Sequence, residues 1–454
     1  MPPILALTLC LGFVLFLLRL EWKQSYDIGW SSWIPTVWIM YSACKPLGIW
    51  FSTGTDIEAG SPLDRALLLV LLFLSVFLLS KRQFSWSSAF RENGYLAMLL
   101  AYMLISIIWS PMPFISLRRW TRELVAILMA FLVLSEQNPY QTVQSIFRRV
   151  AYVLIPTSLL LIKYYPDYGR AYDRWDGKLM WVGVTTQKNG LALVSFTCAF
   201  FLIWTLLRRR IRHESSGVGY QEVVEIFLII LALVLQGGPQ HSMNYSATSN
   251  LCFALGLSCL AAFWLGKKRG LVPTARTLKI IISMIFLLGT VLPFLSKMPF
   301  GNISTSLGRD DSLTGRTGIW RTLVPYAMAR PLLGYGAGGF WTTSMRELTS
   351  AHAHNGYLDM ILNLGFVGLS LFLLFFMSLC KKAHQVIMMD FEWGIFFVSY
   401  LLMGLVSNMT ESSVDSFTRY LSTIILFLSA SSASIMSRRA NSPSGLANDN
   451  PLSE

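Results

Sequence analysis

Residues that could carry out chemistry are concentrated between Arg309 and Asn355, a polar stretch that lies between two strongly apolar runs. Arg309 and Arg316 offer forked guanidinium groups, which suit phosphate and carboxylate oxygens. His352 and His354 stand at the end of the stretch, directly before the next apolar run. Because an unperturbed histidine titrates near neutral pH, it suits general base catalysis. The stretch therefore predicts an active site that binds an anion and removes a proton.

Two other interpretations of the histidines are open at this point. Either ring could do no more than hydrogen-bond a carbonyl of its own loop. A zinc site is disfavoured, because the H-A-H spacing places two rings poorly for one helix face, and no cysteine, glutamate or third histidine stands nearby with ligand spacing. We therefore predict no metal and no cofactor.

A second set of candidates ends the polar stretch 164–188. Lys188 and Asn189 open the following apolar run, and Arg170 and Arg174 lie upstream of them. Cationic side chains at the start of a helix suit phosphate binding. The alternative is that these arginines and the neighbouring aromatic residues only lie at a membrane interface, where arginines snorkel and aromatic belts form.

The composition places both stretches in an integral membrane protein. Of 454 residues, 54% are hydrophobic and 13% are charged, and the mean hydropathy is +0.52, whereas soluble domains carry about 25% charged residues. The net charge of +13 does not call for a nucleic acid partner, since cytoplasmic Lys and Arg clusters supply such an excess. The cysteines lie in or beside apolar runs without a paired motif, and we expect them to be free.

Apolar runs of spanning length predict an all-α polytopic membrane bundle of about 12–13 transmembrane helices. The predicted spans are at about 3–18, 30–51, 63–80, 94–110, 120–135, 150–165, 189–207, 222–238, 246–266, 278–296, 356–380, 393–410 and 419–436. Basic clusters fall at alternate loops, which places those loops in the cytoplasm and both candidate stretches outside. We expect a single membrane domain over 1–440, with long outside loops at 297–355 and 164–188, and a disordered cytoplasmic tail over 441–454.

Several short motifs resemble the Wzy-C region of the O-antigen ligase and polysaccharide polymerase superfamily. The sequence GRD at 308–310 resembles more specifically the exopolysaccharide polymerase, or ExoQ-like, branch. Together the motifs run from residue 60 to about 370. They are GSPLDR at 60–65, KNG at 188–190, GRT at 315–317 with Trp320, PLLGYG at 331–336, HNGYL at 354–358 and GFVG at 365–368.

The resemblance implies a membrane glycosyltransferase of the GT-C type that needs no metal, acts with inversion and faces the periplasm from the bacterial inner membrane. It implies an undecaprenyl-diphosphate-linked saccharide as donor and a glycan or lipid as acceptor, within the bilayer. Chain-length regulators and export proteins are expected as further partners, and nucleic acid is not.

The resemblance also implies roles for the residues of this sequence. His354 is implied as the base that deprotonates an acceptor hydroxyl, and Arg316 as the residue that stabilises the leaving diphosphate. Asn355 and Asp359 are implied either to orient His354 or to bind sugar. The remaining diphosphate and sugar contacts are implied at Arg309, Lys188, Asn189, Arg170, Arg174 and Trp320. One departure from the family is that 236–248 lacks the basic residue that many relatives carry there. Either His241 substitutes for that residue, or the site is weaker or altered.

Three functions are weighed on these grounds. A polymerase of lipid-linked repeat units is favoured over a ligase that moves the finished glycan to lipid A–core or another acceptor, and the motifs alone do not separate the two. A transporter of lipid-linked saccharide would need a polar path through the membrane. The polar residues instead cluster on one side of the predicted bundle, which disfavours the transporter.

Overall fold

The structure, a computed structural model, is an all-α multi-pass membrane bundle. It describes residues 1–25, 27–52, 60–173, 177–212, 219–239, 245–297, 312–349 and 352–440. Its helices, numbered in chain order, are α1 (Pro3–Gln24), α2 (Trp33–Ala43), α3 (Leu47–Trp50), α4 (Pro62–Lys81), α5 (Trp86–Glu92), α6 (Gly94–Ile105), α7 (Pro113–Leu134), α8 (Pro139–Tyr164), α9 (Pro166–Gly169), α10 (Lys188–Ile211), α11 (Tyr220–Gly237), α12 (Ala247–Lys268), α13 (Ala275–Val291), α14 (Ser312–Ala329), α15 (Thr343–Leu348), α16 (Gly356–Met389), α17 (Phe391–Ser407) and α18 (Tyr420–Ala440).

Two short strands interrupt the helices within the stretch 164–188. Strands β1 (Arg170–Tyr172) and β2 (Leu179–Trp181) pair antiparallel, with Ala171 opposite Met180. The hairpin directly precedes α10, so it lies beside the start of that helix.

A helix lies at each predicted span, which confirms the polytopic all-α class. Among the described residues, seven helices are long and apolar enough to cross a bilayer: α1, α4, α8, α10, α11, α12 and α16. Helices α5 and α6 form a pair bent by 97° that makes an eighth candidate. The other predicted spans coincide with shorter or more charged helices, namely α2, α7, α13, α17 and α18.

Helices α8 and α10 form the centre of the bundle, because 83% and 72% of their spanning windows are buried, against 17% for α1. Aromatic rings fill this centre, and Phe200 and Phe396 stack with their centroids 5.6 Å apart. Since lipid tails are as apolar as the side chains, close packing rather than removal from water holds such helices together. The start of α10 is thereby fixed in the middle of one end of the bundle.

Helix α16 is broken at Gly365, whose φ of +64° is open to glycine and strained for other residues. The loop after α14 fills the break. Tyr335 N–H donates to the carbonyl of Leu362 at 2.9 Å, and Phe366 N–H donates to the carbonyl of Pro331 at 2.7 Å. Irregular backbone in a membrane protein needs such internal partners. The motifs PLLGYG and GFVG are therefore held together by backbone hydrogen bonds.

The end of the bundle away from the start of α10 is held by buried ion pairs. Arg149 Nε lies 2.9 Å from Glu21, and Arg209 Nη1 lies 2.8 Å from Glu225. The basic clusters used to predict the topology thus include charges that also stabilise packing. We call the opposite end, formed by the starts of α10 and α16 and the loop 408–419, the site-bearing end.

Candidate active site

The Glu411 carboxylate joins residues from three separate parts of the chain. It lies in the loop between α17 and α18. Its Oε1 accepts hydrogen bonds from Nη2 of Arg316 at 2.5 Å and from Nδ2 of Asn189 at 2.6 Å. Its Oε2 lies 3.3 Å from Nδ1 of His354. We call these four residues the Glu411 cluster.

Glu411 is ionised at neutral pH. Burial opposes its ionisation, but the hydrogen bond from His354 and the positive charge of Arg316 outweigh burial and lower the pKa of Glu411 to about 2. The side chains of Arg316, His354 and Glu411 are 18%, 19% and 15% exposed. The cluster is therefore a charged group that is partly enclosed and still accessible to a substrate.

The ionised carboxylate selects the tautomer of His354. A carboxylate only accepts hydrogen bonds, so Nδ1 of His354 must carry a proton to bond with Glu411. In the neutral ring this leaves Nε2 unprotonated. His354 is thus prepared to accept a proton at Nε2, and Glu411 would balance the positive charge that results.

The backbone of His354 is held in a strained conformation. Its φ of +51° lies in the left-handed region, which is uncommon for residues other than glycine. The preceding residue is fixed on both sides: the carbonyl of Ala353 accepts from Nε1 of Trp320 at 2.9 Å, and its N–H donates to Oδ1 of Asp359 at 3.2 Å. Strain of this kind persists only where surrounding contacts impose it, and it is common at functional sites.

Trp320 and Asp359 act behind the site rather than on its surface. They are 2% and 1% exposed. Asp359 also accepts from Nε1 of Trp341 at 3.0 Å and from the hydroxyl of Ser412. Because burial leaves neither side chain an exposed surface, it argues against the predicted contact of Trp320 with substrate and favours orientation over sugar binding for Asp359. Both are positioning residues for the 352–354 segment.

Asn355 likewise has its side chain fully engaged within the protein. It is 0% exposed. Its Oδ1 accepts from Leu358 N–H at 2.8 Å and caps the start of α16, and its Nδ2 donates to the carbonyls of Gly289 and Met409 at 3.0 and 2.9 Å. Sugar binding by Asn355 therefore does not fit this arrangement. Its contacts tie α13, α16 and the loop 408–419 together beside His354.

The glycine of the HNG motif permits a close backbone contact. Gly356 N–H donates to the carbonyl of Asn408 at 2.9 Å. A Cβ at Gly356 would lie 2.0 Å from Oδ1 of Asn408, closer than real Cβ atoms come to any neighbour. The loop that carries Glu411 can approach His354 only because this position has no side chain.

His352 supports His354 as a neutral partner. The two rings lie with their centroids 4.2 Å apart, and Nδ1 of His352 accepts from the backbone N–H of His354 at 3.2 Å. Burial and the neighbouring cations, His354 when protonated and Arg419, lower the pKa of His352 to about 3. His352 therefore stays uncharged at neutral pH, and of the two histidines His354 is the candidate base.

Of the remaining predicted site residues that the structure describes, one belongs to the Glu411 cluster and two do not. Lys188 lies 3.4 Å from Oδ2 of Asp173, and Arg170 is exposed on β1, where its Nε donates to the carbonyl of Ile162 at 2.7 Å. Asn189 is the member of this group that joins the Glu411 cluster. Arg309, Arg174 and His241 lie outside the described residues.

His352, His354 and Glu411 also bring three possible metal ligands together, with ligand atoms within 4.8 Å of one another. This corrects the sequence-based statement that no third ligand stands near the histidines. The atoms that would bind a metal already accept hydrogen bonds, however: Glu411 accepts from Arg316, and Nδ1 of His352 accepts from the backbone N–H of His354. A divalent cation would have to displace Arg316 and this N–H group, so the residues fit a hydrogen-bonded ion pair better than a metal centre. The absence of a metal requirement stays a prediction.

Comparisons with known proteins agree with this geometry. Residues 241–373 match the family model described as O-Antigen ligase. The chain is also 24% identical over 283 residues to the exopolysaccharide production protein ExoQ of Rhizobium meliloti (strain 1021), a match that covers 59% of this chain and 60% of that protein. A Rickettsia prowazekii (strain Madrid E) protein, provisionally named a polysaccharide ligase, is 24% identical over 324 residues, covering 68% of this chain and 73% of that protein.

These matches confirm the resemblance to the ligase and polymerase superfamily and to its ExoQ-like branch. The matched residues 241–373 include Arg316, His354 and the residues that position the 352–354 segment. They do not include Asn189 or Glu411. The Glu411 cluster therefore joins the matched region to α10 and to the last loop of the bundle.

Sequence reasoning missed Glu411 as a site residue. It was visible only as one of several charges at the edge of an apolar run, and nothing in its spacing connects it with His354. The usable signal is its position: Glu411 stands in the loop just after a predicted span, at the same end of the bundle as His354. A carboxylate there is available to any basic residue that folding brings to that end.

Proposed function

We propose that this protein is a membrane glycosyltransferase that polymerises oligosaccharide repeat units from an undecaprenyl-diphosphate-linked donor. The observation that supports this most directly is the Glu411 cluster, in which one carboxylate contacts both a candidate base, His354, and a candidate diphosphate ligand, Arg316. Glycosyl transfer from a lipid diphosphate needs these two functions within one site: removal of a proton from the acceptor and stabilisation of the departing diphosphate.

His354 acts on the acceptor hydroxyl. Its unprotonated Nε2 takes the hydroxyl proton as the acceptor oxygen bonds to the anomeric carbon of the donor sugar. The bond between that carbon and the phosphate oxygen breaks at the same time, and the diphosphate leaves with the electron pair. A single displacement of this kind inverts the anomeric centre. The Glu411 carboxylate stabilises the imidazolium that forms, as carboxylates do for catalytic histidines elsewhere.

Arg316 acts on the diphosphate. One of its five N–H donors is bonded to Glu411, and the guanidinium fork suits two phosphate oxygens at once. Charge that builds up on the leaving diphosphate would be stabilised by about 3 kcal/mol per well-placed donor. Arg309 is proposed as a second ligand, with Lys188 and Arg170 or Arg174 further along the diphosphate path.

The site-bearing end is proposed to face the periplasm of the bacterial inner membrane. Support comes from the basic clusters at the other end, which the positive-inside rule places in the cytoplasm. The polyprenyl tail of the donor would remain in the bilayer beside the bundle while its diphosphate reaches Arg316. Catalysis is proposed to need no metal, since Arg316 supplies positive charge at the leaving diphosphate and the neutral His354 takes the proton of the acceptor.

The alternative function is a ligase that transfers the completed glycan to lipid A–core or another acceptor. The name of the Rickettsia relative favours this alternative, and the production role in the name of ExoQ fits a polymerase. Both reactions use the same donor and the same two functions in the site. The acceptor alone distinguishes them.

The test is reconstitution of the purified full-length protein in liposomes with undecaprenyl-diphosphate repeat units from its host, without another acceptor. A ladder of longer lipid-linked chains, also formed in EDTA, is the expected result. Transfer only after lipid A–core is added would establish the ligase instead. No product under either condition, with donor bound, would contradict the glycosyltransferase proposal.

A further inference from the structure

A second group of cationic side chains lies near the histidine pair. Four arginines, Arg119, Arg122, Arg346 and Arg419, line a cavity of about 280 Å³ at the site-bearing end. His352 forms part of the same wall. The volume approaches the lower end of the range for small-molecule sites, about 300 Å³. Neither the motifs nor the proposed transfer mechanism uses these four arginines.

The cavity is not part of the Glu411 cluster. His352 lines it, whereas Arg316, Glu411 and His354 do not. Since the rings of His352 and His354 lie 4.2 Å apart, the cavity is one side chain away from the proposed base. A ligand in the cavity would therefore lie close to His354.

The cavity carries an excess of positive charge. Among the described residues, four arginines and two carboxylates, those of Asp415 and Glu123, line it, which leaves a net charge of at least two positive charges from this part of the chain. Asp415 pairs with Arg419 at 3.2 Å. For Arg122, no carboxylate among the described residues lies within 4.0 Å of its guanidinium. A cleft that is lined by positive charges and has walls of low dielectric constant concentrates anions. A forked guanidinium without a carboxylate partner suits an oxyanion.

Aromatic rings and a fixed loop give the cavity a defined shape. Trp120 and Trp341 line it, and the indole N–H groups of both are occupied, by the carbonyl of Leu100 at 3.0 Å and by Asp359 at 3.0 Å. Arg119 donates to the carbonyls of Gly338 and Trp341. Indole faces held in place beside charged groups suit the apolar faces of sugar rings, as the aromatic and polar residues of small-molecule sites do.

We infer that this cavity binds an acidic sugar of the acceptor glycan through its carboxylate. The inference rests on the proposed function and adds to it a substrate class, a glycan that carries carboxylates. The donor diphosphate is the other anion present in the reaction. It is assigned to Arg316, because Arg316 belongs to the Glu411 cluster, whereas no member of that cluster lines the cavity.

The test is a binding measurement that needs no turnover. The full-length protein in lipid nanodiscs is titrated calorimetrically with trigalacturonic acid and with its neutral, carboxyl-reduced counterpart. We expect the acidic trisaccharide to bind at least about tenfold more tightly, as a charged hydrogen bond would provide. Arg122→Gln is expected to abolish this preference. Arg118→Gln, an exposed arginine on the same helix outside the cavity, is expected to retain it.

Three results would overturn the inference: equal binding of the two trisaccharides, a preference that survives in Arg122→Gln, or complete displacement of the acidic trisaccharide by undecaprenyl diphosphate. The last result would assign the cavity to the donor. Thermal unfolding of both variants checks that they fold. If the protein extends lipid-linked chains but shows no preference for the acidic trisaccharide, the proposed function stands and the inference about the cavity is wrong. If it prefers the acidic trisaccharide but does not extend chains, the cavity binds acidic sugars and the proposed function is wrong.

Discussion

The Nδ1 atom of His354 lies 3.3 Å from the Glu411 carboxylate, although 57 residues separate the two along the chain. The same carboxylate bonds Arg316 and Asn189. The proposed base, the proposed diphosphate ligand and the start of the central helix α10 are therefore mechanically and electrostatically connected. A change at Glu411 should affect all three.

Replacing Glu411 by glutamine removes the charge while keeping the size of the side chain. An amide can present its NH₂ group to His354 and hold the ring in the wrong tautomer, and it does not stabilise the imidazolium. We expect kcat for chain extension to fall by about 100-fold or more, with donor KM not increased. Glu347→Gln, at an exposed glutamate on α15, serves as the matched control. An unchanged kcat for Glu411→Gln would contradict the assigned role.

Trp320→Phe should lower activity without unfolding the protein. The substitution keeps a buried aromatic ring but removes the hydrogen bond to the carbonyl of Ala353. One neutral hydrogen bond contributes about 1 kcal/mol, which corresponds to roughly a fivefold change. We expect kcat to fall by about that factor and substrate KM to stay constant, because Trp320 does not touch substrate. A KM effect without a kcat effect would return Trp320 to the substrate contacts. Trp22→Phe, at an exposed tryptophan, is the control.

Two glycines near the site should respond oppositely to alanine. At Gly356 a Cβ would lie 2.0 Å from Asn408, whereas at Gly318, inside α14, nothing lies within 4 Å of the added carbon. Gly356→Ala should lower the free energy of unfolding by about 1–3 kcal/mol, as overpacking does. Gly318→Ala should raise it by up to about 1 kcal/mol, because alanine favours helix. Chemical denaturation of both variants in detergent measures the contrast, and equal effects would contradict the Gly356–Asn408 contact.

The pH dependence of stability should reveal His352. Its pKa is lowered from 6.5 to about 3 in the folded protein, so the unfolded chain binds a proton more readily in this interval. Stability is therefore present above pH 6.5 and is lost as the pH falls towards 3. Between pH 7 and 5 Glu411 contributes little, because it is ionised in the folded chain and largely so in the unfolded one. The difference in melting temperature between wild type and His352→Gln should therefore shrink as the pH falls from 7 to 5. Parallel curves for wild type and His352→Gln would count against the buried neutral histidine.

The sequence was informative wherever local pattern decides structure. Span lengths located the helices, and the alternation of basic clusters placed Arg316 and His354 at one end of the bundle. The first follows from the length of apolar helix that a bilayer requires, and the second from topology.

The sequence was uninformative wherever distant loops meet. Glu411 joins His354 only because α16, α17 and the turn at Asn408 return the chain to the same end, and no spacing encodes that distance. The burial of individual motif side chains could not be predicted from the sequence either. Trp320, Asn355 and Asp359 stand in motifs that suggest contact with substrate, yet all three face the protein interior.

The most direct test of the account is the single-turnover rate of chain extension by His354→Gln in proteoliposomes with bound undecaprenyl-diphosphate repeat units. His384→Gln, whose Nδ1 lies 3.1 Å from the carbonyl of Pro273, well away from the site, is the matched control. Loss of a general base should slow transfer by about 10²–10⁴-fold while donor binding is retained. A His354→Gln protein that extends chains within twofold of the wild-type rate would contradict His354 as the base, and with it the catalytic role of the Glu411 cluster.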